Sequence, residues 1–227
     1  MLYFFNPMYF LFIAPALILG IWAQYRVRSA YAAASRVRST LSGAAAARHI
    51  LDSAGLGRVD VEMVPGFMSD HYDPRHKVLR LSPEVYRGQT LASVGIAAHE
   101  AGHAIQDAHA YAPLVVRNAA VPVAGFGSNA GILLLIVGFI FNFGPLIWAG
   151  IALFAGVVFF QLVNLPVEFN ASARAKVQLV ELGIVSPQEM TYVDRVLNAA
   201  ALTYVAATLQ AILTLLYYLM LAGNRRN

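Results

Sequence analysis

Cysteine is missing from all 227 residues, which excludes a disulfide framework and any thiolate metal site and leaves His, Asp and Glu as the ligand types on offer. Charge is scarce as well. Asp, Glu, Lys and Arg make up 12% of the chain against 59% hydrophobic residues, and the mean hydropathy is +0.60. Such a composition excludes an ordinary soluble domain and points to an integral membrane protein. The net charge is +4. Its basic residues gather beside apolar runs without the interleaved aromatics that stack bases, so they read as topology signals and exclude nucleic acid as a partner.

Three stretches carry no charge at all: Met1 to Gln24, Asn118 to Val167, and Val196 to Asn224. The first holds a span from Tyr3 to Ala23, long enough to cross a bilayer. A cleaved signal peptide is the alternative, but the basic n-region is missing and the apolar run is too long. Arg26, Arg28, Arg36 and Arg38 follow at once, which places this flank in the cytoplasm and the N-terminus outside. The second stretch is too long for one span and fits two, at 121–141 and 145–165, joined by the turn Asn142-Phe143-Gly144-Pro145. The third gives a fourth span at 199–221, which leaves Arg225 and Arg226 outside. No ionisable residue lies within the four spans, which argues against a transporter needing a coupling or gating group.

Between the first span and the hairpin the sequence reads as a mixed α and β segment. Residues 24 to 56 suit a helix, with Ser42 capping an Ala-rich turn and Gly55-Leu56-Gly57 at its end. His49 lies there as a surface or packing residue. Alternation over 58–64 and 77–81 predicts two strands, with the polar turn Asp70-His71-Tyr72-Asp73-Pro74-Arg75-His76 between them. His71 or Tyr72 could donate a hydrogen bond to an oxyanion or contact substrate; the alternative is a hairpin turn set by Asp73-Pro74 with solvated histidines. Ser82-Pro83-Glu84 predicts a capped short helix ending at Gly88, and Thr90 caps the helix that follows.

That helix, Thr90 to Ala108, contains His99-Glu100-Ala101-Gly102-His103. Two histidines four residues apart on a helix lie about 40° apart in azimuth and about 6 Å in rise, so both imidazoles can reach one metal ion. Glu100 falls beside them, where its carboxylate can act as general base on a water molecule. The flanks Val94, Ile96, Ala97, Ala98, Ala101, Ala104 and Ile105 are apolar, and three ionisable groups in such a helix need a reason. Zinc supplies one, because it holds the imidazoles neutral and offsets the burial of Glu100.

The third ligand predicted is Glu168, just beyond Pro166, opening a helix that Gly183 ends. The hairpin returns the chain to the face it left, so a carboxylate there completes a two-histidine, one-glutamate site with an open position for water. An acid favoured by a helix N-terminus is the other reading. His109 is a rival ligand, six residues past His103 as in metzincins. Gln106 stands where that pattern has glycine, and on an unbroken helix His109 points away. Ser186-Pro187-Gln188-Glu189 is a capping-box start for the last helix.

Taken together, the run His99 to Gln106, the turn Asp70 to Pro74 and Leu165-Pro166-Val167-Glu168-Phe169 resemble the YugP-like family of bacterial membrane zinc metallopeptidases over nearly the whole chain. The resemblance implies a multi-pass protein of the bacterial plasma membrane whose active site faces the cytoplasm. HtpX-like membrane peptidases are similar at a greater distance. They usually carry aspartate four residues after the glutamate, where this chain has Ser172. The family motif commonly reads Glu-Phe-Asp-Ala-Ser, where this chain has Asn170. Both positions are candidates for support of the ligands from behind, with an amide and a hydroxyl that orient an imidazole without adding charge.

The expected architecture is a mainly α integral membrane protein, with about four transmembrane helices and a cytoplasmic α+β zincin-like peptidase segment holding a small sheet. Its parts are an N-terminal span (1–25), the peptidase segment (26–117), a transmembrane hairpin (118–167), cytoplasmic helices bearing the glutamate (168–198), and a last span with its tail (199–227). The expected function is a membrane-anchored zinc endopeptidase acting on proteins or peptides near the bilayer, with the strand around Val78 to Leu81 aligning an extended substrate. A site-2-type intramembrane protease is disfavoured, because Arg87 and Asp107 bracket the motif helix and no Leu-Asp-Gly follows. From another class comes a non-catalytic, zinc-stabilised membrane adaptor, which would need a fourth protein ligand, with His109 or His71 the histidines placed to try.

Overall fold

In the computed structural model, residues 7–224 are described. They form seven helices and three strands: α1 (Pro7–Ala34), α2 (Gly43–Ser53), β1 (Asp60–Met63), β2 (His71–Asp73), β3 (Val78–Leu81), α3 (Pro83–Arg87), α4 (Leu91–Ala108), α5 (Ala112–Ile140), α6 (Gly144–Glu181) and α7 (Met190–Gly223). Four of them, α1, α5, α6 and α7, are long and apolar enough to cross a membrane. Leu11, Ile18, Ile21, Phe126 and Ile140 on these helices are exposed, surfaces that lipid would solvate better than water. The first residues of the expected Tyr3–Ala23 span, and Arg225 and Arg226, lie outside the described residues.

The chain divides into two compact units. One takes the residues up to Ala23, Val115–Pro166, and those from Leu202 on. Within it Leu135, Phe139, Ile147, Ile151, Tyr217 and Tyr218 form a buried cluster. The other takes Gln24–Leu114 and Val167–Ala201. Its core is built from Ile50 and Leu51 of α2, Leu79 and Leu81 of β3, Val94, Ala97, Ala98 and Ala101 of α4, Leu179 of α6 and Val193 of α7.

Several local expectations change in the fold. The helix expected over 24–56 is two helices: α1 runs on to Ala34, and α2 starts afresh at Gly43, with the Ser42 side chain accepting from Ala45 N. The two expected strands do not form a hairpin. β1 and β3 pair in parallel, Asp60 opposite Val78, while His71–Asp73 from the expected turn forms β2 and pairs antiparallel with β3, giving the order β1-β3-β2. The tight turn lies just after Asp73, whose Oδ1 accepts from the backbone N–H of Arg75 and His76. Hydrogen bonding from His76, then from Arg75 and Arg80, outweighs desolvation and holds the Asp73 carboxyl well below the usual carboxylate range. Ser82 precedes α3 as expected, but its hydroxyl bonds Asp70 and makes no cap.

Pro166 lies inside α6, so Glu168 sits in mid-helix and does not open a new one. The helix-dipole reading of Glu168 therefore falls, because no free N–H groups surround it. α6 closes where Gly183, at φ +62, takes the left-handed conformation that lets Ile184 N and Val185 N bond back to Leu179 O. The box at Ser186 forms, with Ser186 N donating to Glu189 Oε2 and Glu189 N to Ser186 Oγ.

The approach of α4 to α6 depends on Gly102. A Cβ there would stand 2.5 Å from the Ala171 carbonyl oxygen. Gly102→Ala gains up to about 1 kcal/mol of helix propensity, but relieving this overpacking costs about 1–3 kcal/mol. The expected result is a lower unfolding temperature in detergent together with weaker zinc retention, because the helices that meet at Gly102 carry the candidate ligands.

Candidate metal centre

α4 places His99 and His103 one turn apart, and α6 brings Glu168 against them. Glu168 Oε2 lies 3.3 Å from His99 Nε2 and 3.7 Å from His103 Nε2, and the three ligand atoms fall within 4.8 Å of one another. The two rings are nearly perpendicular, with centroids 4.8 Å apart. Ligand atoms at about 2.0–2.1 Å from a tetrahedral zinc ion stand roughly 3.3 Å from each other, and the two separations of Glu168 from the histidines, 3.3 and 3.7 Å, are close to that. His103 and Glu168 are buried, while His99 and Glu100 are half-buried.

The electrostatics favour positive charge beside Glu168. Burial would push the Glu168 pKa up, yet hydrogen bonding from His103 and His99 holds it well below the usual carboxylate range. Burial also opposes charge on His103, but the Glu168 carboxylate, followed by Glu100 and the Gln106 amide, outweighs it and raises its pKa. A buried anion faced by two imidazole nitrogens is stable with positive charge in its midst. A divalent ion supplies that charge while leaving both rings neutral, the state in which they are ligands.

Behind the ligands, His99 Nδ1 lies 3.1 Å from Ser172 Oγ, and His103 Nδ1 lies 3.0 Å from Gln106 Oε1. Ser172 thus touches a ligand directly. Asn170 does so through an intermediary, its Oδ1 accepting from Gln106 Nε2 at 3.0 Å and from Arg174 Nε at 2.8 Å. Gln106, noticed in the sequence as a replacement for glycine and as the end of the motif run, was given no role there and is the residue that sequence reasoning missed. The available signal was its position: a glutamine three residues past His103, and so on the same helix face, among Ala104 and Ile105.

The other candidates lie elsewhere. His109 is exposed at the C-cap of α4, and Arg174 Nη1 lies 3.4 Å from its Nδ1. His71 is exposed, with Nδ1 2.8 Å from Ser69 O. The Tyr72 hydroxyl donates to Asp107 Oδ2 at 2.7 Å, and burial, then this carboxylate, raises its pKa. None of the three belongs to the group that converges on Glu168. The strand expected to align substrate, β3, is the central strand of the sheet, with both edges already paired.

Comparison with known proteins agrees with the resemblance read from the motifs. Residues 9–223 match the family described as "Putative neutral zinc metallopeptidase". The chain is also 45% identical over 223 residues, 97% of its own length and 99% of its relative's, to the "Putative membrane protease YugP" of Bacillus subtilis. No solved structure matches. The donor set of two imidazoles and one carboxylate, with no thiolate, fits the zinc that such a family implies. With the match running almost end to end and the long apolar helices in place, this membrane protein belongs to that family of zinc metallopeptidases.

Proposed function

We propose that the protein is a membrane-anchored zinc endopeptidase that hydrolyses peptide bonds in proteins or peptides close to the bilayer. The observation that carries this reading is the convergence of His99 Nε2, His103 Nε2 and Glu168 Oε2 beside Glu100. His99, His103 and Glu168 would hold the ion and leave a position open, as catalytic zinc sites with three protein ligands do. Zinc there would supply Lewis-acid polarisation of the scissile carbonyl and lower the pKa of a water molecule toward neutrality. Glu100 takes the proton from the attacking water and passes it to the departing amine nitrogen, so that one carboxylate serves as base and then as acid. Ser172 and Gln106 keep the imidazoles aimed while this happens.

An extended substrate would pair with an outer strand of the sheet, β1 or β2, since β3 is enclosed. β2 is tied to the motif helix through Tyr72 and Asp107, which favours it. The Arg26, Arg28, Arg36 and Arg38 flank supports a multi-pass topology in the bacterial plasma membrane with the site facing the cytoplasm.

The test is metal removal. Purified protein in detergent is expected to cleave denatured, fluorescently labelled casein, to lose that activity on dialysis against a chelator, and to regain it with stoichiometric zinc but not with magnesium. Zinc bound tightly with no cleavage of casein or of membrane-protein fragments would favour the adaptor reading. Cleavage that survives complete removal of the metal would overturn the zinc mechanism.

A further inference from the structure

We propose that Gln106 is a positioning residue for the metal centre: its single amide fixes which nitrogen His103 offers to the ion and ties that ring to the backbone beside Glu168. The inference rests on the zinc reading above.

The hydrogen bonds orient themselves from groups whose roles are not in question. Gln106 Nε2 lies 2.8 Å from the Val167 carbonyl oxygen, which can only accept, so this end of the amide must be the nitrogen. The other end, Oε1, then faces His103 Nδ1 at 3.0 Å and can only accept in turn. His103 Nδ1 therefore carries the hydrogen, and in the neutral ring the lone pair is left on Nε2, the atom facing Glu168. The outer end is fixed in the same way. Arg174 Nε can only donate, so the Asn170 atom it meets at 2.8 Å is Oδ1, ready to accept the second hydrogen of Gln106 Nε2.

Gln106 is fully buried, so an amide with a missing partner would be costly there. Here both hydrogens and the oxygen are engaged. Val167 immediately precedes Glu168, so the amide spans the gap between α4 and α6 at the point where the third ligand enters. The same group thus sets the ring tautomer and the separation of two ligand atoms. A small ion of fixed bond length is sensitive to both.

The test uses the full-length protein in detergent with Gln106→Met, Gln106→Glu and Asn170→Ala. Three quantities are read: zinc affinity by competition with a chelator, the visible absorption spectrum after cobalt(II) replaces zinc, and the unfolding midpoint of the metal-free protein. Gln106→Met, similar in size but without hydrogen-bonding groups, is expected to weaken zinc about 10–100-fold and to alter the cobalt bands. Gln106→Glu keeps an oxygen toward His103 and is expected to recover part of that affinity. A Gln106→Met protein that folds, binds zinc as tightly as wild type and gives the same cobalt spectrum would make Gln106 a packing residue and overturn the proposal, whatever its midpoint. If that variant does not fold, half-buried Asn170 decides: Asn170→Ala, which loosens the outer anchor of Gln106, is expected to weaken zinc severalfold, and unchanged affinity overturns the proposal. Wild-type protein that binds no zinc would instead overturn the metal reading itself.

Discussion

Glu100→Gln is expected to keep its zinc and lose cleavage by about 10²–10⁴-fold, the usual contribution of a positioned general acid–base group. The reasoning is positional. Glu100 is on the motif helix but outside the group that converges on Glu168, so the amide removes a base without removing a ligand. It is half-buried, and glutamine is nearly isosteric, so the fold should tolerate the change. The measurement is zinc per chain and casein cleavage on the same preparation. Because the substitution acts on the chemical step, kcat should fall much more than KM changes. A variant that loses zinc and activity together would mean that Glu100 acts as a ligand or a support. A variant that cleaves like wild type would remove it from the mechanism.

Glu168→Ala should have the opposite signature, with metal and activity lost together. Only the two imidazoles remain, and a three-ligand site becomes a two-ligand one in a pocket whose carboxylate supplied its negative charge. Zinc retained against a competing chelator should fall from about one per chain to near zero. Thermal unfolding gives an independent check. A ligand at a hundred times its Kd stabilises the native state by about 2.7 kcal/mol, so added zinc should raise the unfolding temperature of wild type and leave that of Glu168→Ala unmoved. If Glu168→Ala binds zinc normally, the third ligand is another group and the geometry around Oε2 has been misread.

The parts of the fold that were legible in the sequence are those set by local rules. Absence of charge marks the long apolar helices, since a bilayer tolerates little else. Ser42, Thr90 and the Ser186–Glu189 pair announce helix starts because a cap acts within three residues. The sheet was not legible in the same way. Parallel pairing of β1 with β3 joins strands with a third strand between them in the chain, and alternation in each strand says nothing about which neighbour it takes. Pro166 misled for a related reason. Proline ends helices in water, where the freed carbonyl is readily solvated, whereas long apolar helices carry it in their interior, as α1, α5 and α6 all do.

The site divides along the same line. His99, Glu100 and His103 stand out because one helical turn encodes their juxtaposition. Glu168 could be inferred only by asking where a hairpin returns the chain, and the Gln106 clamp not at all, since its partners at Val167 and Asn170 are distant in sequence. Tyr72 shows the converse. Its residue type and setting invited a role beside the ion, and its hydroxyl is committed to Asp107.

The division of the candidate ligands between α4 and α6 also governs when the proposed centre can come into being. α5 and the apolar first part of α6 separate His103 from Glu168 along the chain. A polypeptide emerging from the ribosome therefore has two of the three ligand atoms for as long as it takes to synthesise both stretches. Until Glu168 follows them out, the nascent chain holds only part of the candidate site. For the same reason a fragment ending before Leu114 would carry the whole His-Glu-x-x-His motif and remain without the third candidate ligand.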